Sequence, residues 1–449
     1  MKVCYLAMSN CPIAQFSGWE VIKKMLPGIE IVSDTNEAEV VIAYFCALTK
    51  DEIVGAKDTL VELLEEKKKR PTMKLLVGGC LPEIKHGNEN YPDTFQLLNS
   101  PEIDAKFGRE TMVKDILRYF GLSYEYEMTI AYVEGSAACI QIASGCNRRC
   151  SFCKCHYLHM PYCSVPIDEV RCEIERAIGE GVARLNITGE NITEYGIDLD
   201  AGNVKLLGLL KEIINKYPSI KLIDLCGITL DEVDNKLLKF LTREPRIGMI
   251  QIEAQSFIPE VRRAMNLRKT ADEAMRIIAE LASKKPIISN IMIGHPGECE
   301  AGFMKQYEFI RQRGLFMLEP NVYVNTIGTR SFTMEQIPDL VVRRRLEEML
   351  SLTYELRRKY VREVSARRIP ARVLMKRSDG GLLLMPLNKP VMIEADEPGR
   401  EVAVGDLVQC VISEPTYFNG SGKRGMTFEE LMHLTDPRDN RIHLCGTIV

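Results

Sequence analysis

Short apolar runs separated by helix-length segments recur along this chain, and that alternation restricts it to parallel sheets with crossover helices. Near the N-terminus the runs fall at residues 3–7, 40–45 and 74–77. A cysteine follows each, Cys11, Cys46 and Cys80 in turn. The carboxyl ends of parallel strands open on one edge of their sheet, so the three thiols are expected to converge. Any one alone reads as an ordinary small buried residue. Three at equivalent topological positions read as a shared iron–sulfur site, because thiolate trios favour iron–sulfur binding.

A second array begins at 138–142 and continues at 183–187, 221–225, 248–254, 286–293 and 316–324, with helices such as 167–179 and 271–283 between them. Six strand–helix repeats are expected to form a full or partial barrel, whose active site lies at the carboxyl ends of the strands. Cys146, Cys150 and Cys153 follow the first of these strands. That spacing supplies three thiolates to an iron–sulfur cluster and leaves the fourth iron open to a ligand. A closed zinc site or a four-thiolate cluster is the alternative, with Cys155 or His156 as fourth ligand, although tetrahedral sites usually come as paired Cys-x2-Cys units.

Composition narrows the setting. The chain has 449 residues, 46% hydrophobic and 27% charged, with a net charge of −4. No apolar run approaches the ~18 residues a membrane span requires. The opening residues lack an apolar core followed by a small-residue cleavage site, so no targeting segment is expected. Fifteen cysteines then point to metal and thiolate chemistry in a reducing, cytoplasmic setting rather than to a disulfide framework. The length predicts about three domains.

The Cys146, Cys150, Cys153 triad, with the aromatic Phe152 before its last cysteine, resembles the signature of the radical S-adenosylmethionine (radical SAM) superfamily. There the open iron chelates the amino and carboxylate groups of the cofactor, whose reductive cleavage yields a 5'-deoxyadenosyl radical. The resemblance sharpens with Ser9-Asn10-Cys11, Phe45-Cys46-Ala47 and Gly78-Gly79-Cys80 ahead of the triad. It continues through Thr188-Gly189-Glu190-Asn191, Gln255-Ser256, Ala264-Met265-Asn266-Leu267-Arg268 and Gly294-His295-Pro296-Gly297-Glu298. Over residues 1–330 the chain is similar to the methylthiotransferase family.

That resemblance implies two 4Fe-4S clusters, each on three cysteines, with Cys11, Cys46 and Cys80 holding an auxiliary cluster that carries or donates sulfur. It also implies S-adenosylmethionine and a reductant such as flavodoxin or ferredoxin, in a monomer without membrane contact. Phe152, Gly189, Glu190, Gln255, Ser256, Arg268 and Gly294 are implied around the cofactor: Gly189 and Glu190 at its ammonium, Gln255, Ser256 and Arg268 at ribose and carboxylate, Gly294 at the adenine. The expected fold class is α/β. Residues 1–125 form a parallel α/β domain, 134–335 a partial (β/α)6 barrel, 336–366 a helical linker and 367–449 a small β-barrel. The last is legible from β-branched residues punctuated by Gly380-Gly381, Pro398-Gly399 and Gly405-Asp406, and resembles the TRAM domain that presents a macromolecular substrate. Cys139, Cys155, Cys163, Cys172, Cys226, Cys299, Cys410 and Cys445 read as structural, with Cys155 the foremost exception.

Departures from the family bear on the substrate. Most members follow the third cysteine with a proline and a basic Arg-Gly run, whereas 154–164 here holds one Lys and no Arg. Phe257 stands at a usual glycine and Thr326 at a usual arginine. Residues 368–449 carry ten Lys and Arg against eleven Asp and Glu, while affinity for tRNA depends on neutralising phosphates. The expected substrate is therefore a polypeptide side chain, reached in part through a loop at 417–440, with methylthiolation of a tRNA adenosine as the alternative. A maturase using the auxiliary cluster for electron transfer, or a non-enzymatic iron–sulfur RNA-binding or sensor module, is a further reading. The tracts Arg343-Arg344-Arg345 and Arg357-Arg358-Lys359 read either as phosphate contacts or as a solvated face, since Glu347, Glu348 and Glu355 interleave them.

Overall fold

The computed structural model describes residues 1–7, 22–23, 25–26, 28–47, 50–84, 91–109, 111–123, 131–134, 137–153, 162–199, 204–326, 329–365, 367–376, 380–396, 401–412 and 443–449. Cys11, Cys155, His156 and the 417–440 segment lie outside them. The described chain forms two compact units, Met1–Tyr132 with Gly145–Tyr162 and Val324–Phe332, and Val133–Ser144 with Cys163–Tyr323 and Thr333–Val449.

In the first unit β1 (Lys2–Ala7), β2 (Glu30–Ile31), β3 (Val40–Phe45), β4 (Lys74–Gly79) and β5 (Ala105–Gly108) form one sheet in the order β2-β1-β3-β4-β5. Every pairing is parallel. Central strands of such a sheet are covered on both faces and so read as unbroken apolar runs; β3, Val-Val-Ile-Ala-Tyr-Phe, is buried throughout. Its residues alternate between two cores. Val41, Ala43 and Phe45 pack with Leu75, Val77 and Leu60, and Val40, Ile42 and Tyr44 pack with Leu76, Phe107 and Ile116.

In the second unit β6 (Ala131–Glu134), which starts at the unit boundary, joins β7 (Ala137–Gln141), β10 (Arg184–Thr188), β11 (Leu222–Thr229), β12 (Ile247–Glu253), β13 (Ile287–Ile293) and β14 (Leu318–Val322). The order is β14-β13-β12-β11-β10-β7-β6. From β7 to β14 neighbours follow in chain order and pair in parallel, the topology of a partial (β/α)6 barrel. A two-stranded ribbon, β8 (Ala143–Ser144) with β9 (Cys163–Ser164), sits after β7. Between β12 and β13 the helix Ala271–Lys284 starts on a capping box of Thr270 and Glu273, which satisfies two backbone N–H groups reciprocally.

The helix Asp339–Val364 follows, burying Arg345, Met349, Leu352, Arg357, Val361 and Val364 along one stripe. The chain ends in a closed barrel of β15 (Arg368–Lys376), β16 (Gly381–Pro386), β17 (Met392–Asp396), β18 (Leu407–Ile412) and β19 (His443–Ile448), ordered β15-β16-β17-β19-β18. Leu374 and Met385 of this barrel pack with Leu222 at the start of β11. Among the described residues no helix is long and apolar enough to cross a membrane.

Candidate functional site

The described thiols of both three-cysteine sets fall in the first unit. Cys46 and Cys80 leave the carboxyl ends of β3 and β4 immediately after the paired residues Phe45 and Gly79, and each is 4% exposed. The Tyr44 hydroxyl lies 3.7 Å from Cys80 Sγ. Glycines make this edge: a Cβ at Gly78 would come 2.1 Å from the Phe107 carbonyl, and Gly79 turns at φ +95° with the Phe45 carbonyl 2.6 Å from where its Cβ would stand. No side chain fits there. Cys146, Cys150 and Cys153 are half-buried on a loop. Cys153 N donates to Cys150 O at 3.2 Å, closing the turn that holds Phe152. Ser331, fully buried, anchors this loop through its N–H to Ser151 O at 2.9 Å and through a hydroxyl contact to Ser151 Oγ at 2.7 Å.

No disulfide joins the described cysteines. Among the described residues no three His, Cys, Asp or Glu side chains surround a single metal ion. A soft, all-sulfur donor set on two loops fits iron–sulfur clusters, which spread their ligands wider than one ion does.

The residues expected around the cofactor lie in the second unit, apart from Phe152. At the carboxyl end of β10, Gly189 is wedged between backbones: a Cβ on it would sit 2.6 Å from Ala143 O, and one on Gly227 would sit 1.9 Å from Gly189 O. Glu190 beside it is half-buried. After β12, Gln255 adopts φ +62°, a strained conformation for a residue with a side chain. Its N–H donates to Asn290 O at 3.2 Å and its carbonyl accepts from Met292 N at 2.7 Å. Ser256 is fully buried, and its hydroxyl accepts from Ile258 N at 3.1 Å and contacts Gln306 Oε1 at 3.4 Å. The Arg268 side chain is 61% exposed and bonded to Glu232 at 2.8 Å. Gly294, at φ +84°, has Val342 of the helix Asp339–Val364 in the space a Cβ would need, 2.7 Å away. The structure thus groups Gly189 and Glu190 at one strand end and directs Ser256 and Arg268 to packing and surface contacts.

Arg262 and Asp231, which carry no legible sequence signal, hold the Gln255 loop. Arg262, 2% exposed, pairs with Asp231 at 2.6 Å and donates to Ala254 O at 3.1 Å and Ser256 O at 2.8 Å. It therefore fixes the backbone on both sides of Gln255. Asp231 also accepts from Arg268 N at 2.6 Å. Glu298 accepts from Gly294 N at 3.2 Å and from Arg345 at 2.8 Å.

Along β12 the half-buried Gln251 and Glu253 alternate with Ile250 and Ile252, which are fully buried. Burial pushes the Glu253 carboxyl above the ordinary range and the charge of Glu319 adds to this, while side-chain hydrogen bonds from Asn290 and Gln251 pull the other way. Burial also raises Cys139 to about 12, with Cys226 contributing, and Cys226 to about 11. Both are neutral thiols, in keeping with structural roles.

Residues 140–310 match the Radical SAM superfamily. The parallel array and the cysteine loop that precedes most of it therefore define a radical SAM protein. A ribosomal protein uS12 methylthiotransferase RimO from Pelobacter propionicus is 27% identical over 350 residues, covering 75% of this chain and 77% of the relative. Another, from Caldicellulosiruptor saccharolyticus, is 28% identical over 347 residues, covering 72% and 76%. The radical S-adenosylmethionine methyltransferase TsrM from Kitasatospora setae aligns with a TM-score of 0.46 at 11% identity, covering 72% of this chain and 74% of that one. Over about three quarters of its length the chain is thus similar to radical SAM methylthiotransferases, transferases that use S-adenosylmethionine and 4Fe-4S clusters.

Proposed function

We propose that the chain inserts a methylthio group into an unactivated C–H bond of a polypeptide side chain, with ribosomal protein uS12, the substrate named for its relatives, as the first candidate. Cys146, Cys150 and Cys153 hold the cluster that binds S-adenosylmethionine, and Cys11, Cys46 and Cys80 hold the auxiliary cluster. When bound, these groups supply hydrogen-atom abstraction at the first site and sulfur at the second. The observation that carries the reading is the placement of thiols at the carboxyl ends of successive parallel strands, with a separate three-cysteine loop in the same compact unit.

The chain's own residues do the positioning. Gly78 and Gly79 let the strand end pass close to its neighbours so that Cys80 emerges beside Cys46. Ser331 fixes the loop of the second set through Ser151, and Arg262 fixes the Gln255 loop. Such preorganisation matters because a carbon radical must meet its partner before another hydrogen donor does. The polypeptide substrate is favoured over tRNA by charge: Arg345 and Arg357 are buried at 4% and 7% exposure, and Arg344 is paired with Glu300 and Glu348 at 2.7 and 2.9 Å.

The test is reductive cleavage. Anaerobically reconstituted protein should hold about eight irons per chain as two four-iron clusters and release 5'-deoxyadenosine. Cys150→Ala should abolish the release, and the joint replacement of Cys11, Cys46 and Cys80 by Ala should retain it. Cleavage persisting in Cys150→Ala would end the assignment of that loop.

A further inference from the structure

Tyr44 is the penultimate residue of β3, pairs with Gly78 of β4 and is 0% exposed. A strand covered on both faces has no packing need for a hydroxyl at this place, and a buried phenol takes a hydrogen-bond partner. The ring lies where β4 carries no side chains. A Cβ on Gly79 would stand 3.1 Å from Tyr44 Cδ1, and one on Gly78 would run into the Phe107 ring. Phe107 packs beside Tyr44, with ring centroids 6.4 Å apart and planes tilted by 38°. The two glycines therefore admit a ring whose hydroxyl reaches the residue that follows them: it lies 3.7 Å from Cys80 Sγ, and Cys80 is itself only 4% exposed.

A thiol can give or take this bond, but a thiolate that ligates iron carries no proton, so the hydroxyl is then the donor and Cys80 the acceptor. Both groups are shielded from water, which strengthens the contact. Hydrogen bonds to ligand sulfurs are among the features that set the potential of an iron–sulfur cluster, because they stabilise the negative charge gained on reduction. We propose that Tyr44 is a positioning residue of the auxiliary cluster: its hydroxyl donates to the Cys80 thiolate, fixes that ligand at its strand end and raises the potential at which the cluster accepts one electron. The inference rests on the reading of Cys11, Cys46 and Cys80 as ligands and deepens it.

The full chain with Cys146, Cys150 and Cys153 replaced by Ala, reconstituted anaerobically, isolates the auxiliary cluster, and its iron content should be about four per chain. The midpoint potential is read by electron paramagnetic resonance during a titration with dithionite and mediators. Tyr44→Phe in this background, which removes one oxygen and keeps the ring, is expected to lower the equilibrium constant for reduction about tenfold, a shift of about 59 mV for one electron. Tyr44→Met, also without a hydroxyl, is expected to shift it in the same direction, so the result does not depend on one variant folding. Phe107→Leu disturbs the same packing without removing a donor, and is expected to leave the potential unchanged. An unshifted potential in either Tyr44 variant, or an equal shift in Phe107→Leu, overturns the proposal, while the iron content and the signal leave the cluster reading standing. A parent chain that holds no iron ends that reading and the role of Tyr44 with it.

Discussion

His295 shows at the scale of one residue how a motif position acts through burial. It is fully buried, its ring 4.9 Å from that of Tyr323, with Nδ1 2.8 Å from Pro296 O. Burial lowers its pKa from 6.5 to about 4. The folded value lies below the unfolded one, so on acidification the unfolded chain takes up the proton first, and stability falls as pH drops from about 6.5 towards about 4. Denaturant unfolding of wild type and His295→Phe across that window should show a proton-linked slope that the variant loses; an unchanged slope would remove His295 as its source. At this scale the sequence displays strand-terminal cysteines clearly, because topology alone brings them to one edge. It cannot display Ser331, which meets Ser151 across 180 residues, or Arg262 and Asp231, whose pairing exists only once two short helical segments come together.

At the scale of elements, hydrophobic runs located nearly all the central strands, since a strand covered on both faces has no choice but to be apolar. The short edge strands were not legible: β2 is two exposed residues and β5 has one buried apolar side chain, Phe107. The helix Asp339–Val364 also departs from a plain charged surface. Its basic tract divides, Arg344 outward on Glu300 and Glu348, Arg345 inward on Glu298 and Glu300. Breaking a buried pair leaves an uncompensated charge, so Arg345→Ala should destabilise the protein by about 3–5 kcal/mol. Arg344→Ala, at an exposed pair, should cost about 0–1 kcal/mol. Equal effects in chemical denaturation would contradict this division.

At the scale of the whole molecule, net charge and partner are linked. With a net charge of −4 and two of its interleaved arginines buried, the chain should bind bulk tRNA weakly at ~150 mM salt, with a slope against log salt far shallower than the roughly −0.9 that each neutralised duplex phosphate contributes. A steep slope equivalent to about five or more phosphates would favour an RNA substrate instead. The two βα arrays follow from the order of the repeats; the grouping of Gly145–Tyr162 and Val324–Phe332 with the first unit does not, and neither does the substrate.

The most direct measurement is mass spectrometry of a polypeptide substrate, beginning with ribosomal protein uS12, after anaerobic turnover with S-adenosylmethionine and a reductant. Wild type should add a methylthio group to one side chain, and the Cys11, Cys46, Cys80 triple Ala variant should form 5'-deoxyadenosine while leaving the polypeptide unmodified. A polypeptide methylthiolated equally well by the triple variant would contradict the account.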